Sequence, residues 1–165
     1  MQVADARAHR TFDLRSLGAL VLSLGVTFGA AALGGLATTP GFYETLERPS
    51  WAPPGWVFGP VWTVLYLLMG VAAFWVWRAR GWRGARAALV AYAVQLALNA
   101  AWTPIFFGLR EPTWALIELA LLWVAVLVTI VLFARVRVGA AALLAPYFAW
   151  ITFAGALNWR LAALN

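Results

Sequence analysis

Five uninterrupted apolar runs, at residues 17–36, 57–77, 87–109, 113–133 and 140–163, take up most of this sequence. Each is close to the length of about 20 residues that a helix needs to cross roughly 30 Å of hydrocarbon. Lipid offers no partner to a backbone amide, so a spanning segment must satisfy its own hydrogen bonds as a helix or close into a barrel. Five strands could not close a barrel, and the runs lack the polar–apolar alternation of barrel strands. Only 11% of the 165 residues are charged and 64% are hydrophobic, about half the charged share of a water-soluble domain. The expectation is an all-α membrane protein, a five-transmembrane-helix bundle, with one domain over 1–165. The first run does not read as a cleaved signal peptide, because no short polar cleavage region follows it.

The charges that remain mark the ends of the runs. All twelve basic residues are arginines, and the net charge is +6. Arg7, Arg10 and Arg15 precede the first run, Arg78, Arg80, Arg83 and Arg86 flank the second and third, and Arg135 and Arg137 join the fourth and fifth. These nine share one side of an alternating five-span path, and Arg48, Arg110 and Arg160 fall on the other. Basic residues accumulate on the cytoplasmic side, so the amino terminus is expected inside and the carboxyl terminus outside. The positive charge is a topology signal and implies no nucleic-acid partner. The absence of cysteine excludes disulfides and thiolate metal sites.

The polar segment 1–15 is expected to be frayed or to lie at the headgroups. In the first span Gly25 and Gly29 stand four apart, and Ala31 and Gly35 repeat the interval. Small residues at this spacing let helices approach closely, either as a dimer face or as packing within one bundle. The longest connector, 37–56, holds Pro40, Pro49, Pro53 and Pro54, which forbid a continuous helix. It also holds Phe42, Tyr43, Trp51 and Trp56. So aromatic a loop is expected to fold over one mouth of the bundle. The other connectors are a few residues long and force antiparallel neighbours.

Eleven tryptophans are present. Trp77, Trp82 and Trp114 stand near span ends, where an interfacial belt puts them. The rest carry a different pattern. Gln95, Asn99 and Trp102 share one helical face, as do Trp62, Tyr66 and Met69 in the second span and Tyr147, Trp150, Ala154 and Asn158 in the fifth. An amide in hydrocarbon is costly unless it faces protein or a cavity. These stripes either tie helices together or line a shared cavity for a flat, largely apolar ligand. Conventional catalysis is poorly supplied. The one histidine, His9, lies outside the spans, so a His-ligated haem within the membrane is excluded, and with no lysine no Schiff base can form. Glu118 is the only acid in a span, just over one turn from its end, where it could snorkel, so a relay of several carboxylates is absent. No metal site is expected.

The segment Arg48-Pro-Ser-Trp-Ala-Pro-Pro-Gly-Trp-Val-Phe-Gly-Pro-Val-Trp-Thr-Val-Leu-Tyr66 resembles the WxPP…PVWxxLY signature of the tryptophan-rich sensory protein/translocator protein (TspO/MBR) family. Gln95-Leu-Ala-Leu-Asn-Ala-Ala-Trp-Thr-Pro-Ile-Phe-Phe-Gly108 is similar to that family's third-helix block, and Pro146-Tyr-Phe-Ala-Trp-Ile-Thr-Phe-Ala-Gly-Ala-Leu-Asn158 to its fifth-helix block. The resemblance implies a five-helix bundle, commonly a homodimer, that binds porphyrins and, in eukaryotic members, cholesterol and synthetic drugs. It places the ligand among the helices beneath the first connector. By motif position, Trp62 and Trp150 match the tryptophans associated with porphyrin binding and its light-driven breakdown. Tyr43, Trp51, Asn99, Trp102, Tyr147 and Ala154 match other ligand-binding positions. Two departures stand out. The cholesterol-recognition pattern, which needs a Tyr before a basic residue, reads Leu157-Asn158-Trp159-Arg160 here, so sterol binding is not carried over. The family's Trp-Tyr pair in the first connector is Phe42-Tyr43.

The function implied is porphyrin or tetrapyrrole binding for sensing, carriage or disposal, with the porphyrin a noncovalent ligand and membrane lipid the surroundings. The alternatives are a light-dependent porphyrin-degrading enzyme, with Trp62 and Trp150 as its catalytic residues, and a transporter of porphyrins or other lipophilic molecules. A multi-pass place in a bacterial inner membrane follows from the arginine pattern, with the outer membrane, described for some relatives, as the alternative.

Overall fold

The computed structural model describes residues 13–36, 38 and 41–165. The expected frayed leader, with Arg7, His9 and Arg10, lies outside the described residues, as do Ala37, Thr39 and Pro40 of the connector. Seven α-helices follow one another among the described residues: α1 (Leu14–Gly35), α2 (Phe42–Thr45), α3 (Phe58–Gly84), α4 (Arg86–Thr103), α5 (Pro112–Val136), α6 (Val138–Leu143) and α7 (Ala145–Leu164). No strand occurs among the described residues. A 3-10 turn, Gly55–Val57, leads into α3, and a π-helical turn, Pro104–Gly108, closes α4. With these turns, five helical stretches among the described residues are long and apolar enough to cross a bilayer: Leu14–Gly35, Gly55–Gly84, Arg86–Gly108, Pro112–Val136 and Val138–Leu164. The fold is all-α, as expected.

The ends of the helices follow local chemistry. Asp13 caps α1 by accepting the Ser16 N–H at 2.8 Å, which holds its carboxyl below the usual carboxylate range. The second span, α3, continues past the expected 77 as far as Gly84. Arg78, Arg80 and Arg83 can reach the headgroups from a continuing helix, so the apolar run ends before the helix does. A kink at Gly81 (φ 63°, ψ −177°) bends it in a conformation that only glycine adopts freely. At Pro104 the helix widens instead of stopping, because the proline ring has no N–H and crowds the preceding carbonyls. Leu109 then donates to the Pro104 carbonyl at 2.9 Å. The fifth span breaks at Leu144, and Pro146 stands in the first turn of α7, where its missing N–H costs nothing.

Between lipid-facing helices there is little hydrophobic drive to associate, so close packing and polar ties hold the bundle. α5 packs along both α4 and α7, and α1 along α3 and α4. At Gly70 an added Cβ would stand 2.7 Å from Leu24 Cδ2 and 3.3 Å from Leu24 Cα, so α1 and α3 meet almost backbone to backbone. Ser23 Oγ donates to the Gly70 carbonyl at 2.8 Å, and Thr27 Oγ1 lies 2.6 Å from the Tyr92 hydroxyl, which ties α1 to α4 as well. By contrast, a Cβ at Gly25 or Gly29 would meet nothing within 4 Å. That face of α1 is turned out of the bundle, and packing inside one bundle does not use it.

Candidate functional site

The helices part beneath the first connector to leave a cavity of about 500 Å³, with residues of α1, α3, α4, α5 and α7 in its wall. Its lining is largely aromatic. Trp62 stacks on Tyr66 one turn along α3, with centroids 5.4 Å apart and planes at 28°. Trp102 stacks on Phe106 at 4.8 Å across the widened turn of α4. Trp150 of α7 meets Phe58 of α3 edge-on at 6.0 Å. Ala31 and Gly35 of α1, Leu119 and Leu122 of α5, and Ala154 of α7 supply smooth apolar surface between the rings.

The connector forms the roof. α2 carries Phe42 edge-on against Phe106 and Phe107, at 6.0 and 6.2 Å, and Tyr43 edge-on against Phe58 at 5.3 Å. The Tyr43 hydroxyl donates to the Pro53 carbonyl at 2.9 Å, closing the connector on itself. Burial pushes that hydroxyl above its ordinary value, and Arg48, whose guanidinium lies 5.0 Å over the ring, partly offsets this. Tyr43 therefore keeps its proton, and the roof its hydrogen bond, at neutral pH. Asn165 pins the far end, accepting the Glu47 N–H at 3.0 Å and donating to the Glu47 carbonyl at 3.1 Å. Glu44 is the one charged side chain among the described residues that line the cavity.

Several polar groups of the wall are committed. Trp102 Nε1 donates to Asn158 Oδ1 at 3.1 Å, and Asn158 Nδ2 donates to the Pro112 carbonyl at 2.7 Å, which joins α4, α5 and α7. Tyr66 donates to Asn99 Oδ1 at 2.6 Å. Trp150 Nε1, buried in a lining residue, has no hydrogen-bond partner. No group of three or more His, Asp or Glu that could hold a metal occurs among the described residues. The arrangement suits a flat apolar molecule with a hydrogen-bond acceptor near Trp150.

Residues 20–164 match the model of the TspO/MBR family. The chain belongs to that family. It is 39% identical to the tryptophan-rich protein TspO of Chlorobaculum tepidum, over 88% of this chain and 97% of that protein. It is 39% identical to the tryptophan-rich sensory protein of Cereibacter sphaeroides, over 89% of this chain and 92% of the relative. The translocator protein of Homo sapiens is 47% identical over 72% of this chain and 73% of its own length. Family membership and five spanning helices together make this a multi-pass membrane protein.

Against this TspO/MBR framework the expected site residues fall into two groups. Tyr43, Trp62, Asn99, Trp102, Trp150 and Ala154 all line the cavity. Tyr147 and Trp51 stand off the wall. Tyr147 is wholly buried behind it, touching Trp62 edge-on at 6.1 Å and accepting from Asn99 Nδ2 at 3.1 Å. Trp51 is 49% exposed and lies edge-on to Phe153 at 5.8 Å, on the outer side of a turn bounded by Pro49 and Pro53. Met69, on the same stripe as Trp62, is core. Glu118 does not snorkel: it is 7% exposed, on the inward face that α5 shares with Ala115, Leu119 and Leu122, and packing of that face on its neighbours holds it inside. Phe106 and Phe107 belong to the wall although neither was among the expected site residues. The spacing 95, 99, 102, 106 carried the signal for Phe106, but the proline at 104 reads as an end to the helix. Glu44 came with no periodic signal, since its place depends on how the connector folds back.

Proposed function

We propose that this TspO/MBR protein binds porphyrin or a related tetrapyrrole in the aromatic cavity and serves in tetrapyrrole sensing, carriage or disposal. The observation that carries the reading is Trp150 Nε1, a buried donor without a partner inside a wall of stacked rings. A buried unsatisfied donor costs about 1–3 kcal/mol, and a carbonyl or carboxylate on a flat ligand would satisfy it. A volume of about 500 Å³ lies within the roughly 300–1,000 Å³ of small-molecule sites. The names tryptophan-rich sensory protein and translocator protein among its relatives are in keeping with ligand handling. A homodimer formed through the outward face of α1 and a place in a bacterial inner membrane belong to the same reading.

The stacked pair Trp62–Tyr66 favours a second reading, light-dependent porphyrin degradation. An indole could lend an electron to the excited porphyrin and take it back once molecular oxygen has added across a bond of the macrocycle, so that the porphyrin is oxidised, oxygen is the oxidant, and Trp62 and Tyr66 are unchanged overall. Titration of the purified protein with protoporphyrin IX, in darkness and then under illumination, tests both. Saturable quenching of indole fluorescence in darkness is expected, and its absence would defeat the binding reading. Decay of the bound porphyrin in light would add the enzyme reading, and ligand flux in proteoliposomes would instead favour a transporter.

A further inference from the structure

Four side chains form a single hydrogen-bonded file from the cavity wall into the bundle. Tyr66 donates to Asn99 Oδ1 at 2.6 Å, Asn99 Nδ2 to the Tyr147 hydroxyl at 3.1 Å, and that hydroxyl to Gln95 Oε1 at 3.1 Å. Every proton points the same way, away from the cavity. Such a file reinforces itself, because each bond polarises the next. It stops at Gln95 Nε2, a donor with no partner on a side chain 1% exposed. The complementary defect is on the next helix. Both Glu118 oxygens are buried without a donor, and α5 packs along α4 and α7, which carry Gln95 and Tyr147. An orphan donor and an orphan carboxyl are each penalised in a dry bundle, and one hydrogen bond removes both penalties.

We propose that Glu118 is a positioning residue: neither it nor Gln95 Nε2 has a partner as the side chains stand, and rotation of the two lets Glu118 accept the last hydrogen bond of this file and fix its sense. Carboxamides can donate or accept at either end of such a file. Without an acceptor beyond Gln95 the file reverses at little cost. In the sense that Glu118 imposes, the Tyr66 proton is committed to Asn99, so the Tyr66 oxygen faces the cavity as an acceptor. A ligand group that meets it must bring an N–H or O–H. In the reversed file Tyr66 donates, and that preference inverts. The selectivity of the cavity then depends on an acid that does not line it.

The choice of probe rests on the tetrapyrrole reading, and free-base protoporphyrin IX brings N–H donors. In dark titrations Glu118→Leu should weaken binding several-fold, and Glu118→Gln, whose amide can donate as well as accept, should recover only part of the loss. Tyr66→Phe removes the cavity end of the file. Adding Glu118→Leu to Tyr66→Phe should therefore cause no further loss, because the acid acts only through the file. Additive losses in the double variant would overturn the proposal. Gln95→Met cuts the file one step earlier and should reproduce Glu118→Leu, so a poorly folding leucine variant leaves the test intact. A ligand-free arm reads the tyrosine C–O stretch by infrared difference spectroscopy. Glu118→Leu should shift this band, and the shift should shrink when Tyr66 is Phe. The shift without any protoporphyrin binding defeats the tetrapyrrole reading alone; no shift overturns the role of Glu118.

Discussion

An indole in hydrocarbon needs a partner for its single N–H, and the tryptophans of this chain meet that need differently. Trp102 donates to Asn158 at 3.1 Å and Trp123 to Thr152 Oγ1 at 2.9 Å, whereas Trp150 Nε1 has no partner. The first two are structural ties between helices, and the third is the donor that the proposed ligand would satisfy. Ring stacking contributes on the order of 0.5–1.5 kcal/mol beyond buried area. Trp62→Phe and Trp150→Phe should therefore weaken dark porphyrin binding by no more than several-fold. If bound porphyrin decays in light, both should abolish that decay more completely, since phenylalanine is much harder to oxidise. Ala154→Phe fills the cavity from its small-residue side and should block binding outright. Fluorescence titrations and illuminated decay of the three variants check this. Unaltered binding in Ala154→Phe with unaltered decay in both phenylalanine variants would place the site elsewhere.

Among the elements, α1 separates two uses of glycine that look alike in a sequence. Its partner glycine, Gly70 of α3, lies against the α1 backbone at Leu24, and Gly34 lies against the α4 carbonyl of Ala100, which an added Cβ would approach to 3.3 Å. Gly25 and Gly29 meet nothing. Gly70→Leu should overpack the α1–α3 contact and destabilise the bundle by about 1–3 kcal/mol or more, read as earlier unfolding in a denaturing detergent series. Gly25→Leu and Gly29→Leu should leave that unfolding curve in place and weaken crosslinking between copies in membranes. Unchanged crosslinking in both would move the dimer face off α1. The intervals among these glycines are legible in the sequence, but which of them face a neighbour depends on the rotation of each helix about its axis.

Across the whole molecule, an odd number of spans puts the two termini on opposite sides. Arg78, Arg80, Arg83 and Arg86 gather at the α3–α4 end, and Arg135 and Arg137 at the α5–α6 junction. Arg137 lies 4.4 Å over the Trp75 ring, a basic residue anchored on an aromatic near that end. The connector, Glu47 and Asn165 meet at the opposite end. Reporter fusions at each terminus in a bacterial inner membrane should report the amino terminus inside and the carboxyl terminus outside. A cytoplasmic carboxyl terminus would defeat both this orientation and the odd span count.

The sequence alone determined the all-α class, the five spans and the faces that carry Trp62, Asn99, Trp102 and Trp150, because helical periodicity and hydrocarbon thickness are local constraints. It also held the motifs by which the family could be named. Only the tertiary structure decided what those faces meet. It sent Trp51 outward across the Pro49–Pro53 turn and Tyr147 behind the wall, and it carried the helix through Pro104 to bring Phe106 into the site. It also held Glu118 inside, where sequence position near a span end suggested escape to the headgroups. The places of Tyr147 and Glu118 turn on the rotation of one helix against its neighbours. That rotation is set by contacts such as Gly70 on Leu24 and Asn158 on Pro112, between residues far apart in the chain.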